Sequence, residues 1–180
     1  MALKATIFKA ELQISNIDSH YYETHPLTIA RHPSETDARM MLRVFAFALH
    51  AQERLEFTRG LSTDTEPDIW QKNLTGDIEV WIELGQPDEK RIRKAAHAAD
   101  EVFIYCYQGK SVATWWPQIE KDVRKFNHVT VLQINDESVE AMAAMAQRQM
   151  DLTVTIQDGQ YWINDNNVNQ EIVLTKLSSG

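Results

Sequence analysis

The sequence predicts a mixed α/β (α+β) fold. Stretches of period-two alternation open and close the chain, amphipathic helical stretches stand between them, and the run EVFIYCYQG at 101–109 is almost continuously apolar. Such a run reads as a strand buried on both faces at the centre of a sheet. A chain of 180 residues is expected to form a single domain, 1–180, with one sizeable core.

The elements follow in order. In ATIFKAELQISNI, Ile7, Lys9, Glu11 and Gln13 alternate with Phe8, Ala10, Leu12 and Ile14, the pattern of a half-buried strand. YYETHPLTIARHP reads as its hairpin partner, and Pro26 sends that strand to an edge or irregular position. PSETDARMMLRVFAFALHA reads as a helix with Ser34 as N-cap, Glu35 and Asp37 in the first turn, and a face of Met41, Val44, Phe45, Ala48 and Leu49. Arg39 and Arg43 are expected on a solvated flank, paired with nearby acids. LEFTRGLS reads as a strand, residues 68–85 as a hairpin, and Pro87 to about Ala99 as a second helix. After the central strand come a helix carrying WWPQIEKDVRKF, a strand HVTVLQI and a helix ESVEAMAAMAQRQM, whose Met142, Met145 and Ala146 stripe reads as core. Asp158-Gly159 suits the tight turn of a closing hairpin.

Hydrophobic residues make up 43% and charged residues 24%, and no apolar run approaches the ~18 residues that span a bilayer. No membrane partner is therefore expected. The opening MALKATIFKAEL lacks the uninterrupted apolar core of a secretory signal, and the single cysteine, Cys106, cannot close an internal disulfide. These features point to a reducing cytoplasm. The net charge of −8 counts against loose, charge-driven binding to nucleic acid, although local positive charge at a cleft remains compatible with it.

The segment EPDIWQKNLTGDIEVWIELGQPDEK, 66–90, carries the chemistry. With Thr75-Gly76 as a two-residue turn, Asp68 falls opposite Glu83, Trp70 opposite Trp81 and Lys72 opposite Glu79, all on one face. Ile69, Ile78, Val80 and Ile82 take the other, and a one-residue slip would scatter that apolar set. Carboxylates directly across an antiparallel pair repel. The repulsion is relieved by a shared proton, by a nearby Lys or Arg, or by a hard cation such as Mg²⁺, which takes one or two carboxylates and keeps several waters. Trp70 and Trp81 either wall such a site or cover a second core. Beyond Glu83, Gly85 leaves room for a ligand to approach the backbone. Lys90 and Lys94 follow on one side of the next helix, flanked by Arg91 and Arg93. An acidic strand end running into a basic helix suits a metal and a phosphate, and equally suits a salt-bridged surface.

The blocks RHPSETDARMMLRVFAFALHA, EPDIWQKN and WIELGQPDEKRIRKA closely resemble the YaeQ family of small bacterial proteins, and the resemblance runs over essentially the whole chain. It implies a core similar to the PD-(D/E)XK nucleases: a helix, a three-stranded meander, a second helix and another strand, with hairpins added at both ends. Carried over by motif, Pro67-Asp68 matches the PD element and Glu83 the acid of the (D/E)XK element. The lysine position is Gly85, so Gln86 and Lys90 become candidates for the polar and basic roles, Lys90 by migration onto the helix. The resemblance implies a metal-dependent nuclease in which Asp68 and Glu83 hold Mg²⁺ or Mn²⁺. Asp68, Glu83, Gln86 and Lys90 would serve catalysis, and Arg91 and Lys94 would bind substrate. The alternative is a non-catalytic protein that keeps the fold to bind another protein, favoured by the negative charge and by Gly85.

Other motifs are weaker. The histidines, His20, His25, His32, His50, His97 and His128, show no zinc spacing, and Ser111 lacks a nucleophile elbow. Gly109-Lys110-Ser111 lacks the first glycine of a phosphate loop, and Cys106 reads as a small buried residue.

Overall fold

A computed structural model describes residues 4–59 and 65–178. Among them, eleven strands and four helices build two mixed sheets, so the chain has the mixed α/β class. It divides into two compact units, Met1–Leu49 with Glu137–Val173, and His50–Asp136 with Leu174–Gly180.

In the first unit, β1 (Thr6–Asn16) and β2 (Tyr21–Arg31) form the expected antiparallel hairpin. Phe8, Ala10, Leu12 and Ile14 are buried, while Lys9, Glu11 and Gln13 face out. β8 (Gln149–Gln157) lies parallel to β1, and β9 (Gln160–Asn164) returns beside it from the Asp158-Gly159 turn. β10 (Asn169–Ile172) closes the order β10-β9-β8-β1-β2, with the proline-bearing β2 at the edge.

The helix α1 (Asp37–Leu49) is buried from Met40 through Ala48, on every side rather than along one face, as a helix this apolar requires. Its cap is Thr36, not Ser34: Thr36 Oγ1 accepts from the Arg39 amide at 3.1 Å, while Ser34 Oγ pairs with His32 Nδ1. Arg43 is likewise not on a solvated flank. It is 6% exposed and forks onto the equally buried Glu35, Nε to Oε2 at 3.0 Å and Nη2 to Oε1 at 2.7 Å. Arg39 Nη1 reaches the same carboxylate at 2.9 Å. α4 (Asp136–Ala143) is shorter than its sequence pattern suggested, but Met142 and Met145 are core residues.

In the second unit, β3 (Leu55–Phe57), β4 (Ile69–Lys72) and β5 (Ile78–Leu84) form an antiparallel meander. The expected strand at 55–62 is observed as β3 alone, its positions 60–62 lying outside the described residues. α2 (Glu89–Ala98) then leads to β6 (Ala99–Cys106), α3 (Gly109–Val123) and β7 (Val129–Ile134). β6 pairs in parallel with β5 and with β7, which makes it the central strand its apolar run announced. β11 (Leu174–Ser178) completes the order β11-β7-β6-β5-β4-β3. The element order helix, meander, helix, strand is thus present as α1, β3-β4-β5, α2 and β6.

One face of this sheet carries the core that positions the site. Trp81, Val102, Ile104, Cys106, Val129 and Val131 from the strands pack with Ile92, Ala95 and Ala96 of α2 and Val112, Ile119 and Val123 of α3. Trp81 is 1% exposed. Truncating an aromatic buried so completely costs about 3–5 kcal/mol, so this tryptophan anchors the strand end that bears Glu83.

Candidate functional site

The β4–β5 ladder has the predicted register where the site lies. Ile69 faces Ile82, Trp70 faces Trp81 and Gln71 faces Val80. Towards the turn the prediction fails, because Lys72 faces Ile78 instead of Glu79. The turn is one residue longer than assumed. The Asn73 amide donates to the Asp77 carbonyl at 2.9 Å, and Asn73 Oδ1 accepts from the amides of Thr75 and Asp77. Gly76, at φ 93°, supplies the left-handed residue of such a three-residue loop. A bulge at Glu79 absorbs the extra residue and restores the register beyond it. Glu79 therefore turns to the face of Gln71, whose Nε2 donates to it at 3.1 Å. Ile78 packs against the cluster that holds Trp81.

Asp68 and Glu83 are both buried, 4% and 8% exposed. Asp68 immediately precedes β4, its amide donating to the Ile82 carbonyl at 3.1 Å. Its Oδ2 accepts from the Leu84 amide at 2.9 Å, which ties it across the ladder beside Glu83. Glu83 Oε1 accepts from Trp81 Nε1 at 2.9 Å and Oε2 from Arg91 Nε at 2.7 Å. Burial raises the proton affinity of Glu83 above the ordinary carboxylate range, and the Asp68 charge adds to that; hydrogen bonds from Arg91 and Trp81 and the Arg91 charge oppose it. Of the remedies for like charges across a ladder, this structure uses the arginine.

α2 explains how Arg91 arrives there. Asp88 caps the helix, its side chain accepting from the Arg91 amide at 2.8 Å. The third residue after that cap thus points its side chain back over the strand end it has just left. The guanidinium also donates from Nη2 to the Glu66 carbonyl at 2.7 Å and lies 5.9 Å from the Trp81 ring centre. Arg91, read from the sequence as a substrate contact, is first a partner of Glu83. The signal that could have shown it is the spacing: an acid ending a strand, a capping Asp88, and an arginine three residues on.

The other site candidates spread outward. Lys90 and Lys94 stand exposed on α2, and Gln86 Nε2 donates to the Tyr107 carbonyl at 2.6 Å. Gly85, at the lysine position of the motif, has φ 100°, and its amide donates to the Tyr105 carbonyl at 2.9 Å. The space around its missing Cβ is open, so backbone conformation is what favours glycine there.

The donor set fits a hard divalent cation in kind: two oxygen ligands side by side in a buried position. Among the described residues, no group of three or more His, Cys, Asp or Glu side chains is placed to hold a metal ion. Waters and a substrate phosphate would have to complete the ligand shell. A cation entering here also competes with the charge of Arg91, already on Glu83.

The remaining motifs settle into structural roles. The Gly109 amide donates to Asp136 Oδ1 at 3.0 Å, so a carboxylate already serves the start of α3. Burial pushes the Cys106 thiol up to about 12, which removes it as a nucleophile near neutrality. His50 Nε2 lies 2.5 Å from Tyr105 Oη and its ring 4.3 Å from that of Phe103, a half-buried polar contact that sequence reasoning missed.

Fold and site together define a mixed α/β protein whose parallel strands β5 and β6 abut a buried Asp–Glu pair closed by a helix-borne arginine. A family model for YaeQ protein matches residues 1–174, and the chain belongs to the YaeQ family. It is 45% identical to YaeQ of Escherichia coli (strain K12) over 175 residues, 97% of each chain. The crystal structure of YaeQ from Xanthomonas axonopodis pv. citri superposes with a TM-score of 0.94 at 43% identity, covering 98% of this chain and 99% of that one. YaeQ from Pseudomonas syringae superposes with a TM-score of 0.93 at 31% identity, covering 98% and 97%. Among the described residues, no helix is long and apolar enough to cross a membrane.

Proposed function

We propose that this chain is a Mg²⁺- or Mn²⁺-dependent phosphodiesterase acting on nucleic acid in the cytoplasm, with its centre at Asp68 and Glu83. The observation that carries the reading is the buried acid pair itself. Two carboxylates brought together in the interior, one of them with raised proton affinity, make an arrangement that stability alone disfavours.

Asp68 and Glu83 would hold the cation. When bound, a divalent ion supplies Lewis-acid stabilisation of a phosphate under attack and lowers the pKa of water. The Leu84 amide fixes Asp68 and the Trp81 indole fixes Glu83, so both ligands are oriented in advance. Lys90, exposed one residue before Arg91, would stabilise negative charge developing on the phosphate. Gln86, fixed to the Tyr107 carbonyl, would position water or a phosphate oxygen, and Lys94 would steer the nucleic-acid backbone.

A second reading is a non-catalytic protein that binds a protein partner through the same fold. The Arg91–Glu83 bond favours it, because the acid pair is already served by a cation, and so does the net charge of −8. Mn²⁺ titration by calorimetry separates the two, using the wild type, Asp68→Ala and Glu83→Ala. The enzyme reading expects binding in the wild type, its loss in both variants, and Mn²⁺-dependent cleavage within a panel of DNA and RNA substrates. No binding and no cleavage by the wild type would leave the second reading.

A further inference from the structure

We propose that Arg91 is a displaceable counter-ion that couples divalent-cation binding at Asp68 and Glu83 to binding of a phosphodiester anion. This rests on the metal-binding reading of that pair and adds how the site is closed and what opens it.

Charge count makes the argument. With both acids ionised, Asp68 and Glu83 contribute two negative charges and Arg91 one positive, so these groups hold a net single negative charge out of bulk water. A divalent cation added with Arg91 in place would invert that to a net positive charge, with the cation and the guanidinium both against Glu83. Like charges a few ångströms apart at a desolvated site repel strongly. A cation at Glu83 therefore pushes Arg91 off, and an anion beside the released guanidinium restores neutrality. A phosphodiester carries that single negative charge, and a guanidinium fork matches its two free oxygens.

The structure makes the exchange mechanically simple. The backbone of Arg91 is held by the Asp88 cap, so displacement requires only its side chain to rotate and α2 stays in place. The side chain is 23% exposed against 11% for Glu83, which leaves the guanidinium a route to solvent while the carboxylate stays inside. It also donates to a neutral backbone carbonyl, that of Glu66. Trp81 Nε1 stays on Glu83 Oε1 throughout and keeps the ligand oriented after Arg91 leaves. Arg91 thus has two positions, one on Glu83 in the resting state and one on substrate.

The test compares Mn²⁺ affinity, by calorimetry and by electron paramagnetic resonance, in the wild type, Arg91→Met and Arg91→Lys. Each is measured with and without a phosphorothioate-linked dithymidine. The methionine variant should bind Mn²⁺ at least tenfold more tightly than the wild type, and adding Glu83→Gln to it should abolish that gain. The dinucleotide should tighten Mn²⁺ binding to the wild type by a factor at least threefold greater than that by which it tightens binding to Arg91→Met. Arg91→Lys, which keeps the charge but loses the fork, should fall between them, and it carries the test alone should the methionine variant fail to fold. Unchanged or weaker Mn²⁺ binding in the variants, beside clear binding in the wild type, would overturn the counter-ion role and leave the metal reading intact. No Mn²⁺ binding by any of the proteins would overturn both.

Discussion

Two Glu–Arg pairs built on buried glutamates, each eight residues apart in sequence, make opposite use of the same chemistry. In the first unit, Glu35 receives two arginines: Arg43 grips both carboxylate oxygens and Arg39 adds a third bond. Cations outnumber the acid, and Arg43 is further held by the Ala30 carbonyl at 3.1 Å. In the second unit, Glu83 Oε2 accepts from Arg91 Nε at 2.7 Å and has a second acid, Asp68, beside it. Here acids outnumber the arginine. The first pair is a finished staple between the end of β2 and α1, while the second has a further buried carboxylate beside it. The spacing is the same; what separates the two is the charge balance around each pair and the depth of the arginine, 7% exposed for Arg43 against 23% for Arg91.

The largest test of that contrast removes each arginine in turn. Arg43→Met leaves Glu35 buried without its fork and should destabilise the fold by about 3–5 kcal/mol. Arg91→Met should cost only about 1–3 kcal/mol, because its side chain is 23% exposed against 7% for that of Arg43. Urea denaturation at neutral pH measures both, and equal losses would make the second pair as structural as the first.

His50 sharpens the comparison, because desolvation, with no charged partner among the described residues, lowers its proton affinity. Its imidazole is pulled down from 6.5 to about 4 and so stays neutral at physiological pH. A depressed folded-state pKa gives stability that is fully present above pH 6.5 and is lost as pH falls towards 4. The loss should be on the order of 3 kcal/mol. Denaturation of the wild type and His50→Phe at a series of pH values checks it, and the variant should lack this part of the slope.

The smallest expected effects come from the two caps. Thr36 and Asp88 each hold the amide of an arginine that reaches a buried glutamate, Arg39 and Arg91. Replacing either cap with alanine should cost about 1 kcal/mol, measured by thermal unfolding. A much larger loss for Thr36→Ala would mean that the first staple depends on the cap to set its geometry.

The sequence made part of this legible. Period-two alternation identified β1 and the Trp70–Trp81 register because one face of each strand must be buried, which penalises any slip. It also placed Asp68 and Glu83 side by side. The same rule misled near the turn, where Asn73 builds a three-residue loop with its own side chain and the bulge at Glu79 breaks the alternation. The bonds of Arg43 and Arg91 to buried glutamates escaped notice for a common reason: helical spacing locates a Cα, whereas a long side chain can reach back past the helix start to an acid eight residues earlier. β10 and β11 escaped notice because Asn169–Ile172 and Leu174–Ser178 are short and nearly free of alternation. They become strands through their neighbours more than through their own composition.

The order of the strands has a consequence for how the molecule is made. Lys9 of β1 pairs with Gln149 of β8, and β7 waits for β11 at Leu174–Ser178 before its outer edge is covered. During synthesis each sheet therefore stays incomplete until late segments leave the ribosome, and the slow, long-range closures come last. The two units interleave along the chain, so no single cut frees either of them whole. A split protein made for biochemistry would need its segments re-joined in a new order, with β11 fused back beside the sheet it completes.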